Sequence, residues 1–133
     1  MLRVEASPVD HSVPNAALRV TFADRDERGT VVYSSDTRPC EAVVRLARGA
    51  DVLVHEATFG GDSTEAERVR HSTAAEAGRV AREAKVGRLI LTHLDPWGPH
   101  PPEALREEAA RAFGGPVEVA REFVPYPAGS GAA

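Results

Sequence analysis

The stretch Thr30-Val31-Val32-Tyr33-Ser34-Ser35-Asp36-Thr37 predicts a β-strand that runs into a short polar turn. Pro39 follows the turn and suits the first turn of a helix. A carboxylate between a strand and a helix lies at the edge of a sheet, where α/β folds commonly hold ligands and metals. Asp36 is therefore the centre of the candidate site. Three histidines are expected to converge on it: His11, His71 and His93.

Alternation of apolar and polar residues, together with short apolar runs, predicts the strands of the fold. They are Leu2–Val4, Ala17–Phe22, Thr30–Ser34, Asp51–His55, Arg88–Thr92, Val117–Val119 and Glu122–Val124. The charged turn Asp24–Gly29 predicts that the second and third of these strands form a hairpin.

Helical periodicity and capping residues predict helices over Pro39–Arg48 and Glu103–Phe113, and helical turns over Ser63–Val69. Another helix starts at the capping box Thr73–Glu76 and is expected to end at Gly87. The resulting order is a hairpin followed by three helix–strand pairs. This order predicts an α/β (α+β) fold in which helices cover one face of a sheet.

Length and composition indicate one globular domain, since the chain has 133 residues of which 42% are apolar. We expect the domain over residues 1–126 and a disordered tail over residues 127–133. The sequence has no apolar run of the roughly 20 residues that span a membrane, no signal peptide and a single cysteine, Cys40. These features predict a cytoplasmic protein. The net charge of −4 provides no overall basic field for nucleic acid.

Three of the polar residues suit an incomplete zinc site. His11 lies in a proline-flanked loop, Asp36 follows a strand, and His93 ends an apolar strand. Neutral imidazole and carboxylate oxygen both bind Zn²⁺, and a carboxylate between two cations can bridge them. Each residue alone also has a structural interpretation, as a surface histidine, a helix cap or a hydrogen-bonded core histidine. Their shared position at the ends of successive elements favours the metal site.

His71 and Glu56 are the candidate catalytic residues. His71 precedes the Thr73–Glu76 capping box, where the start of a helix attracts an anion, and it could donate a proton to a leaving oxygen. Glu56 ends the middle strand and could orient His71. The alternatives are a histidine that only flanks the cap and a glutamate in a structural polar network.

Five motifs, in order along the chain, resemble the C-terminal half of ribonuclease Z, a zinc phosphodiesterase of the metallo-β-lactamase superfamily that trims precursor tRNA. They are Asp10–Pro14, Val32–Cys40, His55–Phe59, His71–Gly78 and Leu91–His93. The resemblance implies the C-terminal half of an αββα sandwich, with a mixed sheet covered by helices on one face.

The resemblance also implies a role for each site residue. His11 would bind the first zinc ion, Asp36 would bridge two zinc ions, and His93 would bind the second. His71 would assist proton transfer to the leaving group. The implied reaction is hydrolysis of a phosphodiester by a hydroxide that the metal makes available.

The departures from the family are also informative. The motif His-x-His-x-Asp-His, which supplies most of the family's metal ligands, is absent from this sequence, so at most partial zinc occupancy is expected. Ser35 replaces the glycine of Gly-Asp-Thr, Ala17–Arg19 replaces Gly-Tyr-Arg, and Leu94–Trp97 replaces Ser-x-Arg-Tyr. The segment between His11 and Asp36 is too short for a tRNA-binding arm. A phosphodiester or other small ester is therefore favoured over tRNA as the substrate.

Several interpretations remain open. The chain is an enzyme by ancestry, and the missing half would be lost by truncation or supplied by another chain. Alternatively it is a non-catalytic remnant that pairs with itself through an exposed sheet face, or another ester or lactone hydrolase of the superfamily. A flavodoxin-like domain with incidental histidines is a further alternative, which the absence of a glycine-rich phosphate loop disfavours.

Overall fold

A six-stranded sheet forms the centre of the structure, a computed structural model that describes residues 1–129. Its strands are β1 (Leu2–Pro8), β2 (Ala16–Ala23), β3 (Arg28–Tyr33), β4 (Val52–Glu56), β5 (Arg88–Thr92) and β6 (Val117–Val119). They lie side by side in sequence order. The pairs β1–β2 and β2–β3 are antiparallel, whereas β3 to β6 are parallel. The mixed sheet and the β2–β3 hairpin are thus confirmed.

Four helices connect or follow these strands in the described part of the chain: α1 (Glu41–Ala47), α2 (Thr64–Val69), α3 (Ala74–Ala84) and α4 (Pro102–Phe113). The capping box at the start of α3 is present, because the Thr73 hydroxyl accepts from the Glu76 amide and the Glu76 carboxylate accepts from the Thr73 amide.

One predicted helix end and one predicted strand are wrong, and β1 extends four residues beyond the predicted Leu2–Val4. Helix α3 ends at Ala84, because Lys85 adopts a left-handed conformation that satisfies the last carbonyl groups, so Gly87 does not end it. Residues 122–124 form no strand, since the chain turns at Glu122 and Phe123 instead of pairing with β6.

The helices pack on one face of the sheet, as predicted. Inward-facing residues of neighbouring strands share this face, and Val32, Leu53 and Leu89 are completely buried there. The helices contribute small residues, and a Cβ atom at Gly78 would lie 2.4 Å from the Ala109 carbonyl oxygen. Glycine therefore allows α3 and α4 to approach closely.

The opposite face carries apolar side chains that are exposed. Leu2 and Val4 on β1 are 71% and 56% exposed, and Leu18 and Tyr33 continue the same face on β2 and β3. The segment at Pro127 and Ala128 covers one corner of it: the Pro127 carbonyl accepts from Arg88, and the Ala128 carbonyl lies beside Gly29. The part of the predicted tail at residues 130–133 lies outside the described residues.

No helix within residues 1–129 combines the length and the apolar character needed to cross a membrane.

Candidate metal centre

The turn after β3 holds Asp36 at the carboxyl edge of the sheet. Ser35 has a φ of 55°, which explains why a glycine is favoured at this position. The Ser35 hydroxyl offsets part of the strain, because it donates to the Ala16 carbonyl oxygen at 2.6 Å. The Asn15 side chain donates to the Asp36 carbonyl oxygen at 3.1 Å. These contacts fix the backbone of the candidate ligand.

Asp36, His71 and His93 come together at this edge, with one potential ligand atom from each residue within 4.8 Å of the others. The Nε2 atom of His93 lies 3.7 Å from Oδ1 of Asp36. The imidazole rings of His71 and His93 stack with centroids 5.4 Å apart. His93 has a φ of 57°, and such strained backbone is typical of functional sites.

His11 borders this cluster without belonging to it. Its Nδ1 atom lies 2.9 Å from the Arg70 carbonyl oxygen, and its ring meets the edge of the His71 ring at a centroid distance of 4.9 Å. The structure therefore groups His71 with Asp36 and His93, where the sequence predicted His11 as the ligand. The metal-binding role of His11 stays a prediction.

Glu56 is the hydrogen-bonding hub beneath the cluster, with only 1% of its surface exposed. Its Oε1 atom accepts from the Thr37 amide at 3.0 Å and from Nδ1 of His71 at 2.7 Å. Its Oε2 atom accepts from the Ser72 amide and from both the amide and the hydroxyl of Thr58. Glu56 thus contacts His71 and also belongs to a structural network, so both sequence interpretations describe the same residue.

A backbone contact brings the two loops that carry these residues together. The Phe59 amide donates to the Ser72 carbonyl oxygen at 3.2 Å, and the Ala74 amide donates to the Phe59 carbonyl oxygen at 2.9 Å. The start of α3 is thereby tied to the end of β4. His71 is held beside Glu56 although 15 positions separate the two residues in sequence.

Sequence reasoning missed Thr58. Its hydroxyl oxygen lies 2.8 Å from Nδ1 of His93, 3.2 Å from Nδ1 of His71 and 3.0 Å from Oε2 of Glu56. The one available signal was its place inside the His55–Phe59 motif, directly after a strand end. A threonine there is ordinarily a turn residue, so the contacts became visible only in the folded chain.

Tyr33 lies within the electrostatic influence of the two carboxylates of the site. The pKa of Tyr33 is raised, first by burial and then by the negative charges of Asp36 and Glu56. A cation between these groups would relieve this repulsion.

The cluster fits a divalent cation. It offers one carboxylate and two imidazoles, and three protein ligands with an open fourth position are typical of catalytic zinc sites. The 3.7 Å between His93 and Asp36 approximates the ligand separation around a tetrahedral ion, roughly 3.4 Å for bonds of about 2.1 Å.

Two cavities adjoin the cluster at the carboxyl ends of β4 and β5. One of about 300 Å³ is lined by Thr58, Phe59, Leu105 and His100, among others. A larger open cleft of about 910 Å³ begins at His93 and shares His100 with the first. Substrate-sized space is therefore available beside the candidate ligands.

The buried histidine His55 should make the stability of the folded chain depend on pH. It is completely buried, its Nδ1 atom bonds to the Glu56 carbonyl oxygen at 2.7 Å, and its Nε2 atom has no hydrogen-bond partner among the described residues. Burial lowers its pKa below the ordinary value of 6.5, and the nearby Glu56 carbonyl and the charges of Glu56 and Glu76 oppose this only in part.

Below pH 6.5 the unfolded chain therefore binds a proton at His55 that the folded chain does not bind. The free energy of unfolding should consequently fall as the pH decreases. The expected loss is at most about 1.4 kcal/mol per pH unit. Urea unfolding at pH 7.5 and 5.5 measures it. The pH dependence should be smaller in His55→Gln and unchanged in the partly exposed control His100→Gln; an unaltered slope in His55→Gln would contradict the assignment.

Comparison with known proteins identifies the family. The model of the beta-lactamase superfamily domain matches residues 1–94, and the chain belongs to this superfamily. Within it, the sequence is similar to ribonuclease Z: the Myxococcus xanthus protein is 54% identical over 91 residues, which are 68% of this chain and 30% of that protein. The Haloferax volcanii ribonuclease Z is 45% identical over 102 residues, 73% of this chain and 32% of that protein.

A solved structure agrees with this assignment. The metallo-beta-lactamase fold protein YhfI from Bacillus subtilis superposes with a TM-score of 0.79 and 33% identity, over 90% of this chain and 47% of YhfI. The metallo-β-lactamase fold and the resemblance to ribonuclease Z are thus confirmed. The chain spans about a third of the length of the curated relatives.

Proposed function

We propose that this chain supplies one side of the active site of a metal-dependent phosphodiesterase of the ribonuclease Z type, with zinc as the metal. The observation that carries the proposal is the convergence of Asp36, His71 and His93 after β3, before α3 and after β5. A bound zinc ion would act as a Lewis acid on the phosphodiester and lower the pKa of bound water.

The residues of the chain take distinct roles in this proposal. Asp36, His93 and His11 hold metal, and His71 donates a proton to the leaving oxygen. Glu56 positions His71 for this step, because its carboxylate accepts from Nδ1 at 2.7 Å when the imidazole is in its doubly protonated, proton-donating form. In that form Nε2 of His71 carries the proton that is transferred.

The remaining ligands would come from a complementary half of the sandwich. The open sheet face formed by Leu2, Val4, Leu18 and Tyr33 is the surface on which we place it, since such a face packs against a second sheet in a sandwich. A phosphodiester or small ester is favoured as substrate, because Leu94–Trp97 departs from the ribonuclease Z motif.

A chimaera tests this function. The N-terminal part of Myxococcus xanthus ribonuclease Z, up to the point where the similarity begins, would be joined to this chain. With zinc, the chimaera should hydrolyse bis(p-nitrophenyl) phosphate, and His71→Ala should reduce the rate about 100-fold or more. A folded, zinc-loaded chimaera without activity would overturn the proposal. Glu83→Ala, on the exposed surface of α3 and away from both cavities, serves as the control and should keep the rate of the unmodified chimaera.

A separate prediction concerns the open sheet face around Leu2 and Val4. Without its complementary half, the purified chain should self-associate through the open face, and Leu2→Lys combined with Val4→Lys should shift it to the monomer. Sedimentation velocity over a range of concentrations measures the change. Glu83→Lys, on the exposed surface of α3, adds a lysine on the helix side and should have no effect. A wild-type chain that is monomeric at high concentration would argue against this surface.

A further inference from the structure

The hydroxyl group of Thr58 contacts three residues of the candidate site at once. Its oxygen lies 3.0 Å from Oε2 of Glu56, 2.8 Å from Nδ1 of His93 and 3.2 Å from Nδ1 of His71. A hydroxyl group has one proton to donate and can accept up to two hydrogen bonds. The direction of each contact therefore determines which nitrogen atoms of the two imidazoles carry a proton.

The surroundings of Glu56 decide where the Thr58 proton goes. Both oxygens of this buried carboxylate already face N–H donors: the amides of Thr37, Thr58 and Ser72. A proton on Oε2 would point at an N–H donor, and a proton on Oε1 would be taken up by Nδ1 of His71, because an imidazole is ordinarily the stronger base. Glu56 is therefore a carboxylate that only accepts. The Thr58 hydroxyl donates to it, because a charged acceptor makes the stronger hydrogen bond.

Only lone pairs of the Thr58 oxygen are then left for the histidines. Nδ1 of His93, at 2.8 Å, must be an N–H donor. Nδ1 of His71 must also carry a proton, since its main partner is the Glu56 carboxylate at 2.7 Å and its second is Thr58. In the neutral form of each ring, Nε2 therefore carries a lone pair and no proton. The Nε2 atom of His93 faces Oδ1 of Asp36 at 3.7 Å.

We propose that Thr58 is a positioning residue that holds His93 in the Nδ1–H form and couples it, through Glu56, to His71. Such a partner sets the tautomer and the orientation of a metal-binding imidazole. The tautomers follow from the hydrogen bonds alone, whereas their use in metal binding and proton transfer rests on the proposed function.

Loss of the hydroxyl has a defined consequence. Without Thr58, Nδ1 of His93 loses the acceptor 2.8 Å away, and the ring is free to place its proton on Nε2 facing Asp36. That proton would block the lone pair that binds a cation.

The matched variants are Thr58→Val, which keeps the shape and removes the hydroxyl, and Thr58→Ser, which restores it. Thr21→Val, on the hairpin strand β2, controls for a threonine-to-valine change elsewhere. Long-range ¹H–¹⁵N spectra of the imidazoles, recorded without metal at pH 8.5, well above the ordinary histidine pKa of about 6.5, report the tautomers. Assignment uses His71→Gln and His93→Gln.

His93 should be the Nδ1–H tautomer in the wild type, Thr58→Ser and Thr21→Val, and should shift to Nε2–H in Thr58→Val. Zinc affinity, measured calorimetrically, should fall about 10- to 100-fold in Thr58→Val and recover in Thr58→Ser.

An Nε2–H tautomer of His93 in the wild type would overturn the proposal, and this result needs no variant to fold. An unchanged tautomer in a folded Thr58→Val would overturn it as well. An inactive chimaera with the expected tautomers would instead refute the proposed function alone.

Discussion

Replacing Glu56 by alanine is expected to lower the free energy of unfolding by about 3–5 kcal/mol, because its buried donors lose their acceptor at up to about 1–3 kcal/mol each and water that enters the space replaces part of the loss. The carboxylate accepts from five donors, three amides, one hydroxyl and one imidazole. Alanine leaves them without partners in a place where only 1% of the side chain is exposed. Urea unfolding at pH 7.5 measures the loss.

Two variants make this test specific. Glu56→Gln keeps one acceptor oxygen but turns an NH₂ group towards donors, so it should be destabilised as well. Glu65→Ala removes an exposed carboxylate that pairs with Arg68 on the surface of α2 and should leave the stability nearly unchanged. If Glu56→Ala lowers the free energy of unfolding by less than about 1 kcal/mol, water replaces the carboxylate and the hydrogen bonds of Glu56 contribute little to the stability.

Substitution of Asp36 or His93 by alanine is expected to abolish the partial zinc binding of the purified chain, with a loss of affinity greater than about 100-fold. Removing a ligand should cost more than removing its hydrogen-bond partner, which lowers metal affinity about 10- to 100-fold. The cluster of three potential ligand atoms within 4.8 Å is the physical basis of the expectation. Elemental analysis and calorimetric titration measure it.

The same titration separates the two ligand sets. The proposed function expects His11→Ala to weaken zinc binding and His71→Ala to leave it nearly unchanged. The reverse result would mean that the cluster of Asp36, His71 and His93 holds the ion and that His71 is a ligand and not the proton donor. His100→Ala, at the rim of the neighbouring cavities, is the control and should bind zinc normally. A folded wild-type chain with no zinc would mean that the site needs ligands from outside this chain.

Much of the fold follows from local sequence signals. Alternating residues in Ala17–Phe22 and the apolar run after Asp51 predicted strands that the structure contains. Thr73 and Glu76 predicted the start of α3, because a capping box is satisfied within one turn of the helix. The end of α3 was mispredicted because its left-handed cap falls on Lys85, whose amide bonds to carbonyl groups of the last turn. Glycine is the residue that usually adopts this conformation, so a lysine gives no sequence signal for it.

The candidate site was also predictable only in part from the sequence. Asp36, His71, His93 and Glu56 are all recognisable in sequence, because each is a ligand or acid–base residue at the end of a predicted element. Their grouping was not predictable in detail. The sequence favoured His11 as the ligand, and only the folded loops show that His71 stands between His11 and His93.

The sequence by itself determined the order of strands and helices, the class of fold and the candidate residues, since these depend on periodicity, caps and side-chain chemistry over a few positions. The tertiary structure alone decided that Thr58 joins Glu56 to His93 and that the same hydroxyl group also contacts His71. These features depend on contacts between residues as many as 35 positions apart, as between Thr58 and His93. Such contacts are set by how strands and loops pack in three dimensions, which no local pattern encodes.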